Sequence, residues 1–137
     1  MNKTITICVF LAILIFGCSA VTIPYDPQPL AKDPREVIRQ VIMEQPDKKV
    51  PHSATVTADY IEIDTTVIRR SGPIRRRIPT MITIYFNNLG KPVLYKTSWY
   101  IVAILNKNNE ERYRVYTKQE DQARLLIDAL NAIAVNK

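Results

Sequence analysis

Trp99 to Ile133 reads WYIVAILNKNNEERYRVYTKQEDQARLLIDALNAI. The first half alternates β-branched and aromatic residues in two short runs, WYIVAIL and RYRVYT, as half-buried strands do. Between them NKNNEE, Asn106 to Glu111, supplies Asn-rich turn chemistry and is too short for a helical crossover, so the two runs form an antiparallel hairpin. The second half changes period. Ala123, Leu126, Ile127, Leu130, Ile133 and Ala134 fall on one face of a helix, and Thr117 with Glu120 has the spacing of a capping box. Arg124 and Asp128 are set four residues apart, off that face, as an ion pair would be. A hairpin that runs into one long amphipathic helix makes the fold class α+β with an antiparallel sheet.

The pattern extends toward the N-terminus. ATVTADYIEI, PTMITIYF and PVLYK are further strands, with Ile61 and Ile63 alternating with Glu62 and Asp64, and Ile82, Ile84 and Phe86 alternating with Thr83 and Tyr85. SGP at Ser71–Pro73 and NNLGKP at Asn87–Pro92 separate them. Before the strands, Asp33 caps a helix with Pro34 at its first position, Glu36 in its first turn and an apolar stripe at Val37, Ile38, Val41 and Ile42. Pro46 ends it, and a helix this short needs something to dock on. The last fifty residues, with the strand–turn–strand ITIYFNNLGKPVLYK before the hairpin and helix, resemble a pleckstrin-homology-like roll; a cystatin-like α+β sheet is the alternative, and the N-terminal helix would be an addition to the roll.

The first residues carry an address. MNKTITICVFLAILIFGCSAVTIPYDP has one positive charge at Lys3, an apolar run from Ile5 to Phe16, and small residues at Gly17, Ser19 and Ala20. Ile15, Phe16, Gly17 and Cys18 resemble the lipobox of bacterial lipoproteins, although Phe16 is larger than that position usually carries. The resemblance implies cleavage before Cys18, a diacylglycerol on its thiol, and an acyl chain such as palmitate on the new N-terminus. Ser19 after the cysteine implies onward sorting to an outer membrane, facing the periplasm, in a cell with two membranes. The other readings are an uncleaved span over Thr4 to Ile23 and a plain signal peptide. Organisation then follows as a signal over residues 1–17, a lipidated Cys18 with a proline-rich spacer to residue 32, and a domain over residues 33–137. Cys8 and Cys18 are the only cysteines, so a disulfide framework and a thiolate metal site are excluded from the domain.

Charge is unevenly distributed on a chain of net +6. From Asp64 to Glu110 no acidic residue intervenes, and IRRSGPIRRR, Ile68 to Arg77, places Arg69, Arg70, Arg75, Arg76 and Arg77 around a Gly-Pro turn. A loop there would gather guanidinium groups whose forks match phosphate or carboxylate oxygens. The expected partners are the membrane through the Cys18 lipid and an anionic lipid, lipopolysaccharide or an envelope protein; export leaves no role for nucleic acid. Catalytic signals are sparse. His52 reads as an ordinary loop histidine, Glu62 and Asp64 as a solvated strand face, and no nucleophile–base constellation, cofactor motif or metal spacing is visible. The expectation is a non-enzymatic, membrane-anchored binding module, with a protein-interaction subunit exposing Tyr95, Trp99 and Tyr100 as the alternative and a hydrolase using Glu62, Asp64 or His52 as a remote one.

Overall fold

The computed structural model describes residues 19–135, so the lipobox-like residues, Cys18 included, lie outside the described residues. In chain order the elements are β1 (Val21–Ile23), α1 (Pro34–Met43), β2 (Ser53–Val56), β3 (Tyr60–Ser71), β4 (Ile74–Tyr85), β5 (Val93–Lys96), β6 (Tyr100–Leu105), β7 (Glu111–Thr117) and α2 (Glu120–Val135). They form two antiparallel sheets, β1-β5-β6-β7 and β2-β3-β4, packed with the two helices. The α+β class and its antiparallel pairing are therefore as the sequence patterns require.

Local chemistry explains both helices. Asp33 caps α1 by accepting the Arg35 amide at 3.0 Å, with Pro34 at the first helical position where its missing N–H costs nothing. Val37, Ile38, Val41 and Ile42 are buried and dock on α2 and on the β2 edge. Gln45, just past α1, is buried and ties it to β7: its side-chain amide donates to the Ile42 carbonyl and the Tyr113 hydroxyl, and its oxygen accepts the Tyr116 amide at 3.0 Å. α2 buries Ala123, Leu126, Ile127, Ala129, Leu130 and Ile133 against the sheet.

Two details at α2 differ from expectation. Thr117 does not cap it; its hydroxyl donates to the Gln119 carbonyl at 2.9 Å, and the helix begins at Glu120. Arg124 pairs with Glu120 rather than with Asp128. Asp128 is buried and has other partners: it accepts the Tyr25 hydroxyl at 2.9 Å and the Gln28 amide at 2.7 Å. The cause lies one hundred residues upstream in the chain, beyond the reach of any local spacing rule.

Those contacts also revise the proline-rich stretch. Val21–Ile23 pairs with β5 in the register Val21↔Lys96 to Ile23↔Leu94, and Tyr25 and Gln28 strap the following residues to α2. Much of the expected spacer is thus part of the folded body. Its β-branched run is only three residues long, too short to announce a strand, and it becomes one because β5 offers an open edge.

The core joins all layers. Ile61, Ile63 and Ile84 from the β3–β4 base, Leu94, Val102, Ile104 and Val115 from the other sheet, and the buried faces of both helices form one cluster. Ile101 to Ile104 are buried in succession, marking β6 as the central strand covered on both faces.

Candidate functional site

β3 and β4 are each twelve residues long, and only their lower halves belong to the body. Their register is continuous from Tyr60↔Tyr85 to Ser71↔Ile74. Directly opposed residues share a face, so Ile61/Ile84 and Ile63/Ile82 face the core, while Tyr60/Tyr85, Glu62/Thr83 and Asp64/Met81 occupy the other side. From Val67 onward on β3, and from Ile74 to Pro79 on β4, both faces are exposed. The hairpin leaves the body there as an arm about 15 Å long, at roughly 3.4 Å per residue.

The arginine-rich segment is consequently not a loop. Its five arginines stand on paired strands, and the turn is reduced to Gly72-Pro73. Gly72 has φ +59, which an L-side chain rarely adopts, and Pro73 follows with its fixed negative φ; that combination matches the mirror-image turns that close two-residue hairpins. Strand pairing places Arg69 opposite Arg76, and Arg70 opposite Arg75, with Arg77 opposite Ile68. The first pair continues the core-facing side and the others line the reverse side, so the arm is cationic all round.

Like charges directly opposite on neighbouring strands are destabilising. Nothing acidic offsets them: the ion pairs of the described residues are Arg35–Asp33, Arg114–Glu111 and Arg124–Glu120, none of which involves the arm. Apolar exposure is concentrated in the same hairpin. Of nine exposed large hydrophobic residues among those described, six lie on β3–β4: Val67, Ile68, Ile74, Ile78, Met81 and Tyr85. A strand that merely keeps a protein soluble would carry mixed charges and few such side chains. Arginine forks beside aliphatic side chains suit a surface that is both anionic and amphipathic.

At the root of the arm a recess of about 340 Å³ is lined by Lys48, Val50, His52, Thr65, Thr66, Ile68 and Arg77. Its geometry comes from the chain between α1 and β2, where the His52 amide donates to the Asp64 carbonyl at 2.8 Å and the His52 Nε2 lies 2.8 Å from the Thr66 hydroxyl. Lys49 is turned the other way, over the Tyr116 ring at 4.5 Å. Lys48, His52, Thr66 and Arg77 thereby extend the arginine surface into a concave, donor-rich floor. In the sequence His52 reads as an ordinary loop histidine, and no pattern joins it to Arg77. The only available signal was its place just before the first strand that pairs with β3.

The remaining candidates are scattered. Glu62 and Asp64 lie half-buried on the face away from the core, paired across β3 with Thr55 and Ser53. The His52 ring meets a threonine, not either of those carboxylates. Tyr95, Trp99 and Tyr100 are half-buried on and beside the turn that joins β5 to β6 in the other sheet. Among the described residues no group of three or more His, Cys, Asp or Glu is placed to hold a metal ion, and no helix is long and apolar enough to cross a membrane.

Compared with known proteins, the chain matches no family model, no curated protein and no solved structure.

Proposed function

We propose that this protein is a membrane-anchored envelope lipoprotein whose β3–β4 arm binds an anionic envelope component without catalysing a reaction. The observation that supports it most directly is that Arg69 stands opposite Arg76 and Arg70 opposite Arg75 across the ladder, with no acidic ion-pair partner among the described residues. Such a like-charge arrangement weakens the isolated hairpin and becomes favourable when phosphate or carboxylate oxygens bridge the guanidinium groups. Near an anionic surface each arginine contributes about 1 kcal/mol, falling off within a Debye length of about 10 Å at 0.1 M salt. Lipid on Cys18 holds the domain at that surface, in the outer membrane facing the periplasm where the cell has two membranes. The fold belonging to this reading is a pleckstrin-homology-like roll, supported by the order of strands followed by one closing helix; fold alone carries no function.

The test uses full-length protein held in phosphatidylcholine vesicles and titrated with deacylated lipopolysaccharide and with anionic wall polymer at low and high salt. Binding should weaken steeply with salt, and replacing all five arginines by Gln should reduce low-salt affinity at least about tenfold. Equal retention of the polymers by that variant would sink the proposal.

One observation favours a second reading, a protein-interaction subunit of an envelope complex. β4 is an edge strand with Ile74, Ile78 and Met81 exposed, and an open edge can accept a strand from a partner. Crosslinking in cells that captures one stoichiometric protein, unaffected by the arginine substitutions, would select it.

A further inference from the structure

The point where the chain enters the folded body lies beside an aromatic turn. β1 pairs with β5 so that Val21 is opposite Lys96, and β5 pairs with β6 so that Lys96 is opposite Tyr100. Ser19 and Ala20 therefore emerge next to Thr97–Trp99, the three residues that join β5 to β6. That turn is held by its own bonds: the Thr97 amide donates to the Trp99 carbonyl at 2.9 Å, and the Trp99 amide donates to the Thr97 hydroxyl at 3.2 Å. Lys96 Nζ sits 3.6 Å from the Tyr100 ring centroid. Trp99, Tyr95 and Tyr100 are half-buried, and Val21 is 60% exposed.

We infer that this end of the β5–β6 hairpin is a lipid-interface seat, with Trp99 placed in the headgroup layer of the bilayer to which the chain is anchored. The inference rests on the lipid-anchor reading of Cys18 and adds to it an orientation. Only Ser19 and Ala20 separate Cys18 from Val21, three Cα steps with a reach of at most about 11 Å at 3.6 Å per residue. The headgroup region of one leaflet is itself about 5–8 Å deep, taking a bilayer of ~40–45 Å around a ~30 Å hydrocarbon core. With acyl chains buried below Cys18, the start of β1 is held within a few ångströms of the headgroup layer, and the turn beside it is brought there too. The residues found at that end have the chemistry of the place. Tryptophan and tyrosine concentrate at the headgroup level, where an apolar ring with a polar edge is at home, and a lysine beside them meets lipid phosphates. The opposite end of the same sheet, the Asn106–Glu110 turn, carries no aromatic residue.

Trp99 is the only tryptophan, which makes the wild-type protein its own reporter. Full-length protein is purified from membranes, the mass of its N-terminal peptide is measured, and it is reconstituted into phosphatidylethanolamine–phosphatidylglycerol vesicles with or without brominated acyl chains. Trp99 emission should fall at least about twofold in the brominated vesicles, as expected of an interfacial indole. A Trp99→Phe/Asn108→Trp variant, which moves the reporter to the far turn, should be unaffected. Unquenched Trp99 on a protein shown to be lipidated, or equal quenching at both positions, overturns the seat and leaves the anchored-module proposal standing. A Cys18 shown to carry no lipid overturns both together.

Discussion

The molecule contains two long hairpins built from similar residues, and they are used differently. In β6–β7, Ile101 to Ile104 are buried in succession, the turn is closed by the buried Asn106, and the strand charge Arg114 is paired with Glu111 at 2.8 Å. In β3–β4 the base buries one face, with Ile61 and Ile63 fully enclosed, yet the upper half has neither core contacts nor compensated charge. In one hairpin the buried strand residues, the turn's Asn106 and Arg114 find their partners within the chain. The upper half of the other is left for something outside it. Within the β3–β4 hairpin the change comes at Val67 and Ile78, where both faces become exposed while the backbone ladder continues.

The contrast is broken first by measuring stability on both sides of it. Leu126→Ala, at a site with no exposure beneath β6–β7, should cost about 2–5 kcal/mol in urea denaturation, through lost burial and a cavity. Ile68→Ala on the arm, where the residue is 57% exposed, should change stability by less than about 0.5 kcal/mol. Equal losses would mean the arm is packed after all. Next in size is Gly90→Ala, because a Cβ there would meet the Asn106 carbonyl oxygen at 2.2 Å just where the chain from β4 crosses the closed end of β6–β7. A loss of about 1–3 kcal/mol is expected, read as a lower urea midpoint at unchanged slope.

The strap on α2 sharpens the picture of what belongs to the body. Tyr25→Phe removes one hydrogen bond to Asp128 and should cost about 1 kcal/mol, with faster protease cleavage between Pro24 and Leu30. The same strap responds to pH. Burial, then the Asp128 hydrogen bond and its negative charge, push the Tyr25 phenol above its ordinary value of about 10, so the folded state holds that proton more tightly than the unfolded chain. Its contribution is complete below about pH 10 and is lost as pH rises through the raised value. Phenolate absorbance that develops together with protease sensitivity of this segment would show it; cleavage unchanged through the titration would refute it. The smallest effect belongs to the arm itself: converting its five arginines to Gln should leave stability within about 0.5 kcal/mol, or raise it slightly by relieving the opposed pairs.

Legibility in the sequence followed distance along the chain. The α1 cap at Asp33, the buried quartets of α1, the strand alternation at Ile61/Ile63 and the turns at Gly72-Pro73 and Asn106–Glu110 are all set by interactions a few residues long, and each formed as the residues indicate. The capping box at Thr117 failed although its spacing was right, because Thr117 ends β7 and the helix begins only at Glu120, which leaves the threonine outside the cap position. The arginines were legible as a charge cluster but not as an arm. Only the register from Tyr60↔Tyr85 outward shows which arginines oppose one another, and a one-residue slip would have moved every one to the other face. His52 was legible only as a histidine; its recess needs Lys48, Thr66 and Arg77, which come from three different segments.

By itself the sequence determined the class of the fold, its antiparallel strands, its two helices and the sign of its most charged segment, since these depend on period, cap chemistry and composition. Tertiary structure decided what those elements do with one another: that Val21–Ile23 becomes a strand, that Asp128 holds a tyrosine rather than an arginine, and that the basic segment stands out as a paired arm. Such outcomes turn on which edge is open and which carboxylate is buried, and no neighbour in the chain carries that information.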